Sequence, residues 1–572
     1  MPTISIFHKD FESLIGRSST IEQIEAWLPL VKGELKDHTP ATGEIRVELQ
    51  DSNRPDLWCV EGIARQIRIK WQEGPASYPF LQTKSRPKRK ITVAKDMEEV
   101  RPFVAACCAT GYRVTEEGLT QLIQVQEKLA DIFGHKRQTV SIGLYRLNKI
   151  HFPVTYGLVK PEEARFTPLG FSEKLTLKEI LTVHPKGIEY SSILVDHPRL
   201  PLLWDKEGQI LSFPPIINSR EIGEVQVGDS DLLVEVTGTD LRMVLLTLNI
   251  FAANLGDRGA AIEPIEIVYP YATEWGKTIR TPCDISKVQK VPVHAIESAL
   301  GLPMGAETIQ QALTAYGYQV KTSRHTLAVR LPSYRSDVMH PIDVAEDVAI
   351  SRGYETFVPI MPAQFTVGSL SALELTSDYV RDHMVGMGFQ EMFSNILMSH
   401  EDLVERMKLT PSDHAVVEVD NVMSLSFSCL RSWILPSLLR IETASPRAFY
   451  PHRLFEIGEA AVPSLSLELG SKTVIKLAAL IAHPHANFSE IHSSLDALMY
   501  YLVQDYALEP VTHGSFLEGR VGKIIVGGQS IGLIGELHPE VLEAWQISMP
   551  ISAFELEVDV LCREDREPKN GS

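Results

Sequence analysis

The sequence predicts a multidomain α+β protein in which one small helix–strand module occurs twice. Three observations lead to this fold class. The chain has 572 residues, more than a single hydrophobic core usually accommodates. The segment FESLIG at 11–16 matches IESALG at 296–301 without a gap, and the same offset pairs later apolar positions. Amphipathic helix patterns and short strand patterns follow one another along most of the chain.

Bulk composition excludes several classes of protein. The chain is 44% hydrophobic and 22% charged, as in an ordinary globular protein. No apolar run is long enough to span a bilayer, and the first nineteen residues do not have the pattern of a secretory signal. The six cysteines form no CxxC pair, which favours a reducing cytoplasm and argues against a zinc site. A net charge of −18 disfavours a free-standing nucleic-acid binder. If the chain binds nucleic acid, we expect binding through a local patch of its surface or through a basic partner.

Residues 1–83 form the predicted first module. Thr20 or its neighbour Ser19 can cap a helix, and a strand and a second helix follow. Between them, Arg54 and Asp56 lie two residues apart in NRPDL, where an ion pair that ties the loop is the favoured interpretation. The basic run KSRPKRK at 84–90 then predicts a solvated linker, with phosphate contact as the alternative.

Residues 91–262 form a predicted second domain. Its strands lead into an apolar helix that begins after Asp240 as N-cap and is expected to be buried. Polar residues lie beside the apolar strands and can line a small pocket that positions a water on an ester: Ser212, Asn218, Glu235, Thr237 and Thr239. Structural roles are the stronger alternative from sequence alone, because Ser and Thr are common in strands and caps. Residues 91–262 contain no GxSxG elbow.

Residues 263–362 form the predicted second module, which ends in an acidic cluster. Pro341 suits the first turn of a helix, on which Asp343, Glu346 and Asp347 share one face, while Asp337 arrives from the preceding loop. Carboxylates so close repel one another, so a cation or a basic partner is expected, and oxygen ligands suit Mg²⁺, Ca²⁺ or Mn²⁺. The alternative is a solvated acidic first turn, which the helix dipole favours.

The first module does not repeat this cluster. Gly62 occupies the place of Asp347, and Asp343 has no counterpart there. Residues 365–562 are predicted to form the last large domain, with an antiparallel sheet and amphipathic helices. The tail at 563–572 is predicted to be disordered.

Several motifs, in this order, resemble those of phenylalanine–tRNA ligase beta subunits of the shorter archaeal and eukaryotic type: SNRPDLWCVEGIAR, FPPIINS with VEVTGTD, HPIDVAEDVAI with RGYE, LRSWILPSLL and RLFEIGE. The resemblance spans nearly the whole chain. It implies that 91–262 is an editing domain that hydrolyses mischarged Tyr-tRNA(Phe), with candidate residues Ser212, Asn218, Glu235 and Thr237. It also implies that 365–562 is a class II synthetase-like domain that is catalytically inactive.

The resemblance further implies cofactors and partners. A structural magnesium ion, shared with an alpha subunit, is expected at four acids: Asp337, Asp343, Glu346 and Asp347. ATP is expected as a substrate of the holoenzyme. The implied partners are the alpha subunit, in an α2β2 tetramer, and tRNA(Phe), with no membrane and a cytoplasmic location.

The last domain lacks the arginines with which class II synthetases hold ATP. The resemblance leads us to expect an Arg-x-acid strand and an arginine on a glycine-led helix. Here Glu456 stands three residues after Arg453, and the helix after Gly535 contains no arginine. Without these guanidinium groups little remains to hold a triphosphate, so the synthetic active site is expected in the alpha subunit.

Two departures from the resemblance fall in the predicted editing domain. Tyr145-Arg146 stands where the family usually shows His-Asp, and Glu224 stands where a basic residue is expected. They leave room for an alternative function, a non-catalytic tRNA-interacting scaffold built from the same modules. An autonomous metal-dependent hydrolase at the acidic cluster is a weaker alternative, because the sequence shows neither a base nor an open substrate site there.

Overall fold

The computed structural model describes residues 2–50, 53–72, 74–82, 86–412, 414–422, 424–445 and 447–562. The chain divides into two compact units, with the boundary between residues 360 and 361. The predicted disordered tail lies outside the described residues, and so does part of the basic run at 84–90. The finer division into four domains stays a prediction.

The first module is a small antiparallel sheet covered by helices. Its elements are β1 (Thr3–Phe7), α1 (His8–Ile15), α2 (Ile21–Trp27), β2 (Gly33–Thr39), β3 (Glu44–Leu49) and α3 (Val60–Gln72). The strand order is β1–β3–β2. The Thr20 hydroxyl accepts a hydrogen bond from Gln23 N, which confirms the predicted cap of α2.

The middle region is a mixed sheet with helices on its surface. Its elements are β4 (Arg89–Val93), β5 (Phe103–Thr110), α4 (Glu116–Lys128), β6 (Val140–Arg146), β7 (Val154–Val159), β8 (Arg165–Phe166), β9 (Leu175–Thr176), α5 (Leu177–Val183), α6 (Pro185–Tyr190), β10 (Leu200–Trp204), β11 (Ile210–Phe213), β12 (Ile217–Asn218), α7 (Arg220–Gly223), β13 (Leu232–Gly238), α8 (Leu241–Asp257), β14 (Ala261–Val268) and β15 (Thr278–Thr281). The strand order is β12–β11–β10–β7–β4–β14–β5–β13–β6, with β15 on β14.

This sheet extends beyond the predicted boundary at residue 262. Strand β14 pairs with β4 on one side and with β5 on the other, so it joins the two halves of the sheet. Its Ile265 and Ile267 are fully buried. The strand therefore belongs to the middle sheet, because only there are its backbone groups and apolar side chains both satisfied.

Helix α8 is the buried helix that the sequence predicts. The Asp240 carboxylate accepts from Met243 N at its start. Nearly every later residue is buried, and the helix packs against β5 and β13. It thereby supports the strand that carries Glu235.

The second module has the same order of elements as the first. They are β16 (Val288–Pro292), α9 (Val293–Leu300), α10 (Ala306–Thr314), β17 (Gln319–Thr322), β18 (Thr326–Arg330) and α11 (Pro341–Arg352), with strand order β16–β18–β17. Helices α1 and α9 both end at a left-handed glycine, Gly16 with φ 77° and Gly301 with φ 65°. The amides of these glycines donate to the carbonyls of Glu12 and Glu297. The sequence repeat is therefore a structural repeat.

The second unit is built on a long antiparallel sheet. Its elements are α12 (Ala372–Gly386), β19 (Gln390–Glu391), β20 (Leu397–Met398), β21 (Val417–Glu418), β22 (Cys429–Leu430), α13 (Leu435–Ala444), β23 (His452–Pro463), β24 (Ser471–Ala482), α14 (Phe488–Leu502), β25 (Ala507–Pro510), β26 (Phe516–Val526), β27 (Gln529–Leu537), α15 (Pro539–Ala544) and β28 (Ile551–Glu557). The main sheet runs β19–β23–β24–β28–β27–β26–β25, and only its edge strand β19 is parallel to its neighbour. Within the described parts of the chain, no helix has the length and apolar character needed to cross a membrane.

Candidate functional site

A cavity of about 230 Å³ lies in the middle region, between the two ends of its sheet. Three of the four predicted editing residues line it, Ser212, Asn218 and Glu235. The remaining lining residues come chiefly from α4, β6 and the segment between β11 and β12. A concave site with a few buried polar groups is the usual form of a small-ligand pocket.

Strand pairing explains how residues distant in sequence meet at this cavity. Glu235 lies at the middle of β13, opposite Gly143 of β6. Ser212 of β11 pairs with Asn218 of β12 at the other end of the sheet. The two ends are linked by Tyr145 of β6, whose hydroxyl lies 2.8 Å from Ser212 Oγ and 2.8 Å from Glu235 Oε2. The sheet therefore curls until its ends share one wall of the cavity.

Glu235 has the electrostatic properties of a proton acceptor. Burial raises the pKa of this carboxyl to about 7, although the Tyr145 hydroxyl, the Arg101 guanidinium and the Thr237 hydroxyl act in the opposite direction. Its Oε1 atom is buried and makes no hydrogen bond within the described part of the chain. A carboxyl with a pKa near neutrality can take up and release a proton under physiological conditions.

Thr237 lies beside Glu235 rather than on the cavity wall. It is fully buried, and its hydroxyl is 2.9 Å from Ser141 Oγ. The Arg101 guanidinium donates to the Thr237 carbonyl at 2.8 Å and to Ser141 Oγ at 3.1 Å. The residue helps to hold β6, β13 and Arg101 together, and it reaches the cavity only through Glu235.

Tyr145 and Gly143 were not among the predicted site residues. Ser141, Gly143 and Tyr145 share one face of β6, an alternation that was available in the sequence. A Cβ atom on Gly143 would lie 2.0 Å from the Tyr145 hydroxyl and 2.7 Å from Glu235 Oε2. The glycine therefore makes room for the pair of polar groups.

The other two departures from the family pattern lie elsewhere. Arg146 and Glu224 are not among the lining residues of the cavity. Glu224 forms a half-exposed ion pair with Arg220 at 3.8 Å. Of the three unusual residues, only Tyr145 reaches the candidate site.

The four acids of the second module do not converge on one point. The Arg335 guanidinium donates to Asp337 at 2.7 Å and to Asp347 at 2.7 Å. Asp343 accepts from the backbone amides of Met339 and His340, each at 2.8 Å, and so caps α11. In the described ranges, no group of three or more His, Cys, Asp or Glu side chains is arranged to hold a metal ion.

Arginine side chains hold Asp337 in its ionised form. Burial opposes the charge of Asp337, but the Arg335 and Arg54 guanidinium groups outweigh it and hold the pKa of that carboxyl well below its usual range. Asp347 also accepts from the Tyr318 hydroxyl at 2.6 Å. As a set of four, these acids do not fit a magnesium site within this chain, because two of them are occupied by a guanidinium group.

Glu346 differs from the other acids. It is about half exposed on α11 and forms an ion pair with Lys32 of the first module at 2.8 Å. With Asp343, which is partly exposed on the same helical face, it offers carboxylate oxygens that a cation outside this chain can reach. This pair, rather than the full set, is compatible with Mg²⁺.

The loops that precede α3 and α11 meet each other. Arg54 forms a bidentate pair with Asp56, and Arg335 forms the equivalent pair with Asp337. Arg54 Nε also lies 3.8 Å from Asp337, so the two copies share one buried ionic cluster. Gly62 lies against the Asp56 carbonyl, where a Cβ atom would be 1.8 Å from the oxygen. The first copy therefore has no room for an acid at the position of Asp347.

In the second unit, two arginines that could have held ATP are paired with carboxylates instead. The fully buried Arg431 donates to Glu456 at 2.7 Å and to Ser394 at 2.8 Å. Arg453, the first residue of the RLFE motif, pairs with Glu490 at 3.0 Å. Both arginines are thus bound by carboxylates of the same unit.

Comparison with known proteins agrees with these observations. Residues 358–558 match a family model described as the phenylalanyl tRNA synthetase beta chain CLM domain, and 289–354 match the tRNA synthetase B5 domain. The phenylalanine–tRNA ligase beta subunit of Thermococcus kodakarensis is 37% identical over 573 residues, 97% of this chain and 98% of its own. The chain belongs to the phenylalanine–tRNA ligase beta-subunit family. It is therefore an aminoacyl-tRNA synthetase subunit, as the sequence predicts.

Two further relatives and one solved structure are also similar to this chain. The beta subunit of Pyrococcus furiosus is 38% identical over 573 residues, 98% of this chain and 100% of its own. That of Treponema pallidum subsp. pallidum is 38% identical over 526 residues, 90% of this chain and 86% of its own. A solved N-terminal fragment of the beta subunit from Pyrococcus horikoshii superposes with a TM-score of 0.58 at 36% identity, and it covers 62% of this chain and 100% of the fragment.

Proposed function

We propose that this chain acts in the cytoplasm as the beta subunit of an α2β2 phenylalanine–tRNA ligase, with the synthetic active site in the alpha subunit. The holoenzyme charges tRNA(Phe) with phenylalanine at the expense of ATP. Two arginines of the second unit support the assignment of synthesis to the alpha subunit. Arg431 and Arg453 are already paired with carboxylates, and a guanidinium held in this way is not available to a triphosphate.

The purified chain alone is expected to lack amino-acid activation. ATP–pyrophosphate exchange with phenylalanine measures this step directly. Exchange should remain at background for the isolated chain and appear when the alpha subunit is added. Exchange by the beta chain free of alpha subunit would contradict the proposal.

We also propose that the cavity in the middle region hydrolyses Tyr-tRNA(Phe). The observation that supports this function is Glu235, a buried carboxyl with a pKa of about 7 and an unpartnered oxygen on the cavity wall. It can accept a proton from a water that attacks the aminoacyl ester. A buried acceptor also permits discrimination by a substrate hydroxyl, which an apolar pocket alone cannot achieve.

Glu235→Gln tests this proposal, because it keeps the shape of the side chain and removes its basicity. Hydrolysis of Tyr-tRNA(Phe) by the α2β2 complex should fall roughly 10²–10⁴-fold, while charging with phenylalanine persists. Glu117→Gln, on the exposed first turn of α4, is the matched control and should hydrolyse normally. Normal hydrolysis by Glu235→Gln would show that Glu235 is not the proton acceptor, whereas absence of hydrolysis by the wild-type complex would favour the scaffold alternative for this domain.

We propose, finally, that magnesium binds on the Asp343–Glu346 face of α11 and that the alpha subunit completes the site. Mg²⁺ keeps several waters and takes only one or two protein carboxylates directly. Asp337 and Asp347 are assigned instead to the buried cluster around Arg335. The ion would hold subunits together and take no part in ester hydrolysis.

A further inference from the structure

One buried polar contact of the cavity is made by a residue that the proposed chemistry has not used. The Tyr145 side chain is fully buried, and its hydroxyl lies 2.8 Å from both Glu235 Oε2 and Ser212 Oγ. A phenol donates one hydrogen and accepts others. When Glu235 is ionised, Tyr145 donates to Oε2, and the Ser212 hydroxyl can then donate to the phenolic oxygen.

We propose that Tyr145 is a positioning residue for the hydrolysis of the aminoacyl ester, an inference that rests on the proposed editing function. Its hydroxyl holds Glu235 by Oε2 and leaves Oε1 as the atom that accepts a proton. Water forms a bond to the ester carbonyl carbon and gives its proton to Oε1. The bond from that carbon to the ribose oxygen breaks, and Glu235 returns the proton to that oxygen.

The packing around Glu235 supports this assignment. Gly143 has no side chain at the point where the phenol and the carboxylate approach, so the strand is built to admit their contact. The charged and titratable groups that face Glu235 are few. They are the Arg101 guanidinium and the phenols of Tyr145 and Tyr156. Among them, Tyr145 alone makes a hydrogen bond to the carboxylate in the described part of the chain.

The direction of the effect on Glu235 follows from this contact. The Tyr145 hydroxyl lowers the pKa of Glu235, which burial has raised to about 7. Removing the hydroxyl should therefore raise that pKa further and leave less carboxylate at neutral pH. A variant without the hydroxyl loses rate near neutrality and recovers it as the pH rises.

Tyr145→Phe in the α2β2 complex tests the inference. At about pH 7, hydrolysis of Tyr-tRNA(Phe) should fall roughly tenfold or more, since hydrogen bonds to charged groups have about this strength. The acid limb of the rate–pH profile should move to higher pH by about one unit. Rates are corrected for spontaneous ester hydrolysis at each pH. Tyr269→Phe is the matched control, because it removes a buried phenol whose hydroxyl hydrogen-bonds the backbone of Val104 and should leave rate and profile unchanged.

A second measurement follows Glu235 without relying on the reaction. Difference infrared spectroscopy can titrate the protonated carboxyl band that disappears in Glu235→Gln. In Tyr145→Phe this band should persist to higher pH than in the wild type. An unmoved band would overturn the inference, even in a variant whose rate has fallen, because a rate loss alone can come from poor folding.

The kinetic outcomes separate this inference from the proposed function. Hydrolysis by the wild type together with an unchanged rate and profile for Tyr145→Phe would overturn the positioning role alone. A lower rate at every pH with no shift of the acid limb would also overturn it. Absence of hydrolysis by the wild-type complex would reject the editing function and the inference with it.

Discussion

Glu235 combines two requirements that oppose each other. Burial in the cavity wall removes the carboxylate from bulk water and makes its charge costly, yet the proposed reaction needs that charge. The balance places the pKa at about 7. A site of this kind is expected to lower the stability of the folded state at the pH where it is active.

The pH dependence of stability should show this cost. The pKa of Glu235 rises from 4.5 in the unfolded chain to about 7 in the fold, so the folded state holds its proton more tightly. Its contribution is fully present below about pH 4.5 and is lost as the pH rises through 7. The loss amounts to about 3 kcal/mol by pH 8. Glu235→Gln cannot ionise, so urea unfolding should show the variant gaining stability relative to the wild type from pH 5 to pH 8.

A parallel pH dependence in the two proteins would contradict this interpretation of Glu235. The difference between variant and wild type is the informative quantity, because the other titratable groups contribute equally to both. Glu117→Gln is again the control and should follow the wild type.

Gly143 offers a second test of the same contact. In Gly143→Ala, the new methyl group would overlap the Tyr145 hydroxyl and Glu235 Oε2. Overpacking of this kind costs about 1–3 kcal/mol, and ester hydrolysis should be lost because both polar groups are displaced. Gly386→Ala is the control, since a Cβ atom there meets no atom within 4 Å and alanine favours the helix by about 0.4–1 kcal/mol. Unimpaired hydrolysis by Gly143→Ala would show that the contact is not needed.

The paired modules show which elements a sequence pattern can predict. The cap of α2 and the buried helix α8 depend on local chemistry, and both appear in the structure as predicted. The predicted domain boundary near residue 262 depends on which strands pair. The structure differs from the prediction at this point, because β14 crosses the boundary. Pairing of β14 with both β4 and β5 joins segments that are between 151 and 176 residues apart, which no local pattern encodes.

The sequence likewise predicted only part of the candidate site. Ser212, Asn218 and Glu235 were polar residues on apolar strands, and the cavity collects all three. Thr237 lies on the same face of β13 as Glu235, but Ser141 and Arg101 enclose it. Tyr145 was noted only as a departure from the family pattern, because its contact with Ser212 requires β6 and β11, which lie near opposite ends of the sheet order, to meet.

The shared ionic cluster of the two modules gives a prediction about element packing. Arg335→Ala leaves Asp347 and Asp337 buried without the Arg335 guanidinium, and only Asp337 keeps a second, more distant one in Arg54. Removing one partner of a buried ion pair typically costs about 3–5 kcal/mol, so thermal or urea unfolding should show a large loss of stability. Arg352→Ala, at the less buried end of α11, should change stability by less than about 1 kcal/mol. Equal effects of the two variants would show that the cluster does not hold the modules together.

Across the whole molecule, the three acids of α11 and Asp337 of the loop before it divide between two tasks. Two lie inside the chain with Arg335, and two face outward. The inward pair accounts for two of the acids through their contact with Arg335 and needs no metal ion. The outward pair leaves carboxylate oxygens with which a partner chain could share a metal ion. Like charges on one helical face repel, and the Lys32 contact with Glu346 relieves only part of this.

Magnesium should therefore act on assembly rather than on folding of this chain. Removing Mg²⁺ with a chelator should weaken the association of alpha and beta subunits, measured by analytical ultracentrifugation, because the outward carboxylates would then face the partner unneutralised. Glu346→Gln removes one of those charges and should abolish the response to added Mg²⁺. Asp337→Asn alters the inward pair and should reduce stability while the complex keeps its response to the ion. A wild-type complex that chelation leaves unchanged would instead identify Asp343 and Glu346 as a helix cap and an ion pair only.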